Sequence, residues 1–115
     1  MQNTSGRWVN ELAAAITVTD ANGRICEMNT HSIATFAGSG GAALVGSDVL
    51  ACHPEAAREK VARLYETPQP NHYTIRHHGQ RKIIHQIPWY QDGKFAGVVE
   101  LSIPIPDKLP HFDRD

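Results

Sequence analysis

The placement of tight turns restricts this chain more than any other feature. Three stretches pair glycine with small polar or imidazole neighbours: Asp20-Ala21-Asn22-Gly23, His78-Gly79-Gln80 and Gln91-Asp92-Gly93-Lys94. Glycine and asparagine accept the left-handed backbone that a short hairpin loop demands. Each turn is flanked by runs that alternate apolar and polar residues, the period of a half-buried strand. "AITVTD" and "RICEMN" flank the first. "NHYTIRHH" and "RKIIHQIPWY" flank the second, and "FAGVVELSIPI" follows the third. The chain is therefore expected to open with a hairpin and close with three consecutive antiparallel strands.

Between them the period changes. Asn29 or Thr30 can cap a helix whose apolar face is Ile33, Ala34, Phe36 and Ala37. "GSGG" ends it, and "AALVGSDVL" reads as short helical turns broken at Gly46. Pro54 suits the first position of a longer helix, and Glu55 suits its first turn. Ala57, Val61, Leu64 and Tyr65 form its buried stripe, and Thr67-Pro68 stops it. Before the first hairpin, Thr4 or Ser5 can cap a short helix through Trp8, Leu12 and Ala13. Strands and helices are segregated, so the fold class is α+β, with helices on one face of a five-stranded antiparallel sheet. Such a pair of layers leaves a hollow between them.

Bulk properties narrow the function. A length of 115 residues suits one domain. The net charge is -1 with histidine neutral, and no basic cluster argues for nucleic acid as a partner. No apolar run approaches the roughly 20 residues of a membrane span, and no signal peptide is recognisable. Cys26 and Cys52 form no metal-type spacing. They read as reduced thiols in a cytoplasmic protein. No hydrolase elbow, zinc-protease helix, P-loop or dinucleotide fingerprint occurs, so no enzyme is expected.

The order and spacing of "TDANGRICEMN", Gly46 before "SDVL", and "WYQDGKFAGVVELS" resemble a PAS domain. The resemblance runs from about Ala14 to Ile105. It extends to small stand-alone bacterial PAS proteins with a "CHPE" stretch, a "YTI" strand and an "IPWY" strand. It implies a flanking helix over 1–13, a sensor domain over 14–105 and a C-terminal tail over 106–115. It also implies a sensory or interaction module that holds heme, flavin, a small organic acid or nothing in its hollow. Such modules often dimerise through flanking helices. Flavin photochemistry is excluded, because no "NCRFLQ"-like helix is present. "DVLACHPEAAREKV" is similar to the heme-ligating stretch of carbon-monoxide-responsive PAS regulators, which implies His53 as an axial ligand to heme iron. Those regulators place a methionine near the strand that here holds His72 to Ile75. The two methionines of this chain are Met1 and Met28, so His72 or an open position would substitute.

The residues expected around a ligand are His53, Cys52, His85, Ile87, Trp89 and His72. His53 can alternatively cap the following helix through its imidazole, and Cys52 can be a small buried hydrophobe. His85 shares a strand face with Ile83, Ile87 and Trp89. It is either a satisfied core group or the polar group orienting a ligand in an apolar pocket. Glu100, if it faces inward, needs a partner such as Arg81, Lys82 or His85; facing outward is the simpler account. His72 and His77 point to opposite strand faces and do not converge with His78 on a metal. Trp8 and Leu12 dock the first helix, or line a symmetric dimer if exposed. The expected function is a small-molecule-binding sensory module acting on a second copy or a separate signalling protein. The alternatives are a heme-based gas or redox sensor using His53, and a ligand-free dimerisation scaffold.

Overall fold

The computed structural model describes residues 7–115, except for the side chains of Arg7, Ala51 and Cys52. The capping expected of Thr4 or Ser5 lies outside the described residues. Five strands form one antiparallel sheet: β1 Ala15–Thr19, β2 Ile25–Met28, β3 Asn71–His77, β4 Gln80–Gln91 and β5 Lys94–Pro104. Their order across the sheet is β2-β1-β5-β4-β3. The last strand of the chain therefore pairs with the first, and the opening hairpin joins the three-stranded meander through the centre. Among the described residues, the α-helices α1 Arg7–Asn10, α2 Thr30–Thr35 and α3 Glu55–Glu66 accompany it. Short 3-10 turns fill Ala37–Ser39, Gly41–Leu44 and Val49–Cys52. No helix among the described residues is long and apolar enough to cross a membrane.

The turns differ in detail from their expected chemistry. His78-Gly79 and Asp92-Gly93 both take positive φ at both positions, the backbone that matches strand twist in a two-residue loop. In the first hairpin only Gly23 does so. Asn22 is held instead by the Asp20 carboxylate, which accepts from the Asn22 and Arg24 amides at 2.9 and 3.0 Å. Gly97 has a different task. A Cβ there would overlap the Thr19 carbonyl of the neighbouring strand, so only glycine lets β5 and β1 approach at that point.

The helices are shorter than their sequence patterns suggest. α1 stops at Asn10, before Leu12 and Ala13, and Trp8 is 71% exposed. Pro54 stands at the N-cap of α3 with extended backbone, one position before the helix proper, and contributes no side-chain cap. The apolar core gathers Ile25, Met28, Leu44, Val49 and Val61, with Ile33, Phe36, Leu50 and Tyr65 against it. It lies beneath the helical layer on one face of the sheet.

Asn29 ties three elements together and is 1% exposed. Its Oδ1 accepts from the Ser32 amide, capping α2, and from the Ile16 amide of β1, both at 2.9 Å. Its Nδ2 donates to the carbonyls of Ala14 and Val9 at 2.8 and 2.9 Å. At an ordinary helix start aspartate serves as well as asparagine. Here a carboxylate would face two carbonyls with nothing to donate. Asn29→Asp is therefore expected to destabilise the fold as much as Asn29→Ala, by about 3 kcal/mol in urea unfolding, because buried acceptors lose their partners.

Candidate ligand-binding site

Glu100 sits in the middle of β5, opposite Thr17 on β1 and Gln86 on β4. This register puts its carboxylate on the face beneath the helices, where its side chain is only 19% exposed. An isolated charge is costly there, and two groups answer it. Gln86 Nε2 donates to Glu100 Oε2 at 2.8 Å. His53 Nε2 lies 3.5 Å from the same oxygen, with the imidazole 11% exposed. The Gln86 amide is fixed in turn by Asn71, whose Nδ2 donates to Gln86 Oε1 at 2.8 Å.

The protonation of His53 follows from its neighbours. Its Nδ1 lies 3.0 Å from the Val49 carbonyl, which can only accept, so Nδ1 carries hydrogen. The carboxylate before Nε2 also only accepts, so the arrangement favours the imidazolium. The Glu100 carboxylate accordingly raises the His53 pKa above its ordinary value, against the opposing effect of burial. Burial pushes the Glu100 carboxyl up, but His53 and Gln86 together outweigh it and hold its pKa below the ordinary value.

Around this pair the gap between sheet and helices is mostly apolar. A small space of about 20 Å³ is bounded by Ile25, Val49, Leu64, Val98, His53 and Glu100. A second, of about 150 Å³, shares Phe36, His53 and Glu100 and extends towards Tyr73 and Ile84. A more open groove of about 410 Å³ lies between α3 and Asn71, Tyr73 and Gln86. Thr17, Thr19 and Tyr65 add hydroxyls to the walls. The Thr17 and fully buried Ser32 hydroxyls bond at 2.6 Å, and Tyr65 bonds Thr19 Oγ1. Burial pushes the Tyr65 phenol up to about 12, so it stays neutral. Both contacts of Glu100 fall on Oε2. Oε1 has no hydrogen bond among the described residues.

Of the residues expected here, the structure brings only His53 to the gap. The Cys52 side chain lies outside the described residues. His85, Ile87 and His72 fall on the opposite face, because their strand neighbours Gln86 and Asn71 point inward and successive side chains alternate. Trp89 also leaves the gap, and its indole donates to the Thr19 carbonyl at 3.0 Å. His53 does not cap α3: the ring turns towards the sheet, with its nitrogens at Val49 and Glu100. Glu100 faces inward, and its partners are His53 and Gln86 rather than Arg81, Lys82 or His85. Sequence reasoning missed Gln86, Thr17, Thr19 and Asn71. The available signal was Glu100 itself, an acid within an apolar strand, which called for polar cross-strand neighbours.

The arrangement does not fit heme ligated by His53. A metal–imidazole bond of about 2.0–2.1 Å would set iron against Glu100 Oε2, within the 3.5 Å that separates it from Nε2. Ligation also needs a nitrogen lone pair, whereas Nε2 here faces an acceptor. The adjoining 150 Å³ suits a guest of about benzene size. Among the described residues no three histidine, cysteine, aspartate or glutamate side chains gather as a metal site.

The ion pair makes stability depend on pH at both ends. The raised His53 pKa contributes fully below the ordinary imidazole value and is lost as pH rises through the folded value. The lowered Glu100 pKa contributes fully above the ordinary carboxylate value and is lost as pH falls through the folded one. The stability advantage of the native chain over His53→Ala is thus expected to be largest between about pH 4.5 and 6.5. It should be about 2 kcal/mol there and shrink in alkali. Urea unfolding of both proteins from pH 4 to 9 measures it.

No protein-family model matches the chain, and no curated protein does. Solved structures match its fold. A C-terminal domain from Streptococcus mutans superposes with TM-score 0.68 at 20% identity, covering 84% of this chain and 78% of its own. The Aer2 receptor from Vibrio cholerae, described as a dual PAS-heme oxygen sensor, gives TM-score 0.65 at 15% identity, over 81% of this chain and 95% of its own. The PAS domain of Bordetella pertussis BvgS gives 0.64 at 23% identity, over 87% and 82%. The antiparallel sheet in the order β2-β1-β5-β4-β3, with short helices on one face, has the fold of a PAS domain.

Proposed function

We propose that this chain is a sensory module that receives a small molecule between the helical layer and the sheet, beside His53 and Glu100, and passes the event on by protein–protein contact. One observation carries the reading: a charged, hydrogen-bonded row, Asn71-Gln86-Glu100-His53, runs along a mostly apolar gap, and its contacts leave Glu100 Oε1 without a hydrogen bond among the described residues. Ligand sites combine this kind of apolar lining with a few fixed polar groups. The guest would be about the size of one aromatic ring. It would carry a hydroxyl or amine to donate to Glu100 Oε1, since a second carboxylate beside Glu100 would meet like charge. No covalent step is part of the proposal, and the histidine-ligated heme alternative finds no support in the geometry around His53.

A ligand-free dimerisation scaffold is the second reading. Trp8 is exposed on α1, where a second copy could cover it. The two readings differ in a thermal-shift screen of small neutral alcohols, phenols and amines. Under the sensory reading at least one compound, at a hundred times its Kd, stabilises the native chain by about 2.7 kcal/mol. Glu100→Gln abolishes the effect while retaining the fold. A screen without any Glu100-dependent stabilisation, together with a concentration-dependent dimer broken by Trp8→Ala, would favour the scaffold.

A further inference from the structure

On the sheet face away from the helices, His72 of β3 stands directly opposite His85 of β4. Their Nδ1 atoms are 2.7 Å apart, and the rings meet nearly edge to face, with centroids at 4.9 Å. Two neutral imidazoles can share this contact only if one donates through Nδ1 and the other offers its lone pair. Shifting the donor ring to the Nε2–H tautomer leaves both Nδ1 atoms with a free lone pair, 2.7 Å apart. We infer that His72 and His85 form a two-histidine chelate for a divalent late transition metal, separate from the gap beneath the helices.

Distance selects the class of metal. With metal–nitrogen bonds of about 2.0–2.1 Å, two ligands at a right angle lie about 2.9 Å apart, and two at the tetrahedral angle about 3.3 Å. The observed 2.7 Å needs only a slight opening for the right-angled case. That geometry suits nickel(II) or copper(II), which also bind imidazole more tightly than the earlier divalent metals. The remaining positions would hold water, because no third histidine, cysteine, aspartate or glutamate joins the pair among the described residues. His77 is on the other face of β3, and its ring contacts His78 instead. The outer-face cations Arg76 and Arg81 form the register pair four steps along, with the Thr74–Ile83 pair between them and the histidines on that face.

The pair lies next to the Asn71–Gln86 register pair. A bound metal would staple the edge strand β3 to β4 beside the hydrogen bond that leads to Glu100. The inference does not rest on the gap receiving a ligand.

Untagged protein titrated with nickel(II) chloride by isothermal calorimetry tests it. One site is expected in the native chain. His72→Ala and His85→Ala should each weaken it at least about tenfold, as loss of a ligand exceeds the usual cost of disturbing an outer partner. His77→Ala and His78→Ala should leave it intact, and nickel should raise the melting temperature of only those variants that retain the pair. Unchanged affinity in His72→Ala, or binding that disappears in His77→Ala, would overturn the assignment. His72 is exposed and His85 half-buried, and circular dichroism of the folded variants provides the common reference.

Discussion

The carboxylate of Glu100 faces the covered side of a sheet, and much of the surrounding structure follows from satisfying it. Gln86 turns its amide so that nitrogen meets Glu100 and oxygen meets Asn71. His53 turns away from the end of α3 and presents Nε2 to the same oxygen. The helical layer is thus joined to the sheet by a charge as well as by hydrocarbon contact. Buried ion pairs are poor sources of net stability, since desolvation offsets most of their attraction. An apolar pair of similar volume at positions 53 and 100 would hold the layers as well. The retained polar row therefore supports the reading that this gap meets something other than its own side chains.

The row also explains how occupancy could reach the surface. His53 immediately precedes Pro54 and α3, and Asn71 begins the edge strand β3. A guest that draws Glu100 Oε2 away from either partner changes the restraint on one of these elements. Binding can only shift a population by the difference in its affinity for the two states. Here that difference has a concrete source, the hydrogen bonds and ion pair that a guest replaces or leaves. Asn29 acts at the other side of the same layer. Its four bonds fix α1, α2 and β1 to one another, whereas the row reaches α3 and β3.

The layout of the fold was legible because turns and periods are local. Gly23, Gly79 and Gly93 marked the hairpins, and the change of period after Asn29 marked the helical run. The direction in which each strand faces was less legible. Assigning Ile83, Ile87 and Trp89 to the covered face followed the usual rule that apolar residues point inward. The register of β4 against β5 reverses it, with Ile84, Gln86 and Glu100 inside and His85 and Ile87 outside. Register is a property of paired strands, and a shift of one residue exchanges the two faces. The imidazole of His53 posed a similar problem. Its partner Glu100 is 47 positions away, so the sequence suggested a helix end or a bound ligand for it and not this carboxylate.

The reversal has a physical basis in which layer supplies the hydrocarbon. The helical side brings Phe36, Val49, Val61 and Leu64 to the gap, while the sheet side brings Thr17, Thr19, Gln86 and Glu100 among its apolar residues. The sheet can therefore carry polar groups inward without losing its cover. Its outer face keeps the remaining β-formers, Ile16, Val18, Ile83, Val99, Leu101 and Ile103, in half-buried positions. A sheet with one solvated face normally alternates the other way, with its apolar set inside. Polar function inside and apolar surface outside are thus two results of one register, and the His72–His85 contact is a third. Because Asn71 pairs with Gln86 on the inner side, the next pair must meet on the outer one.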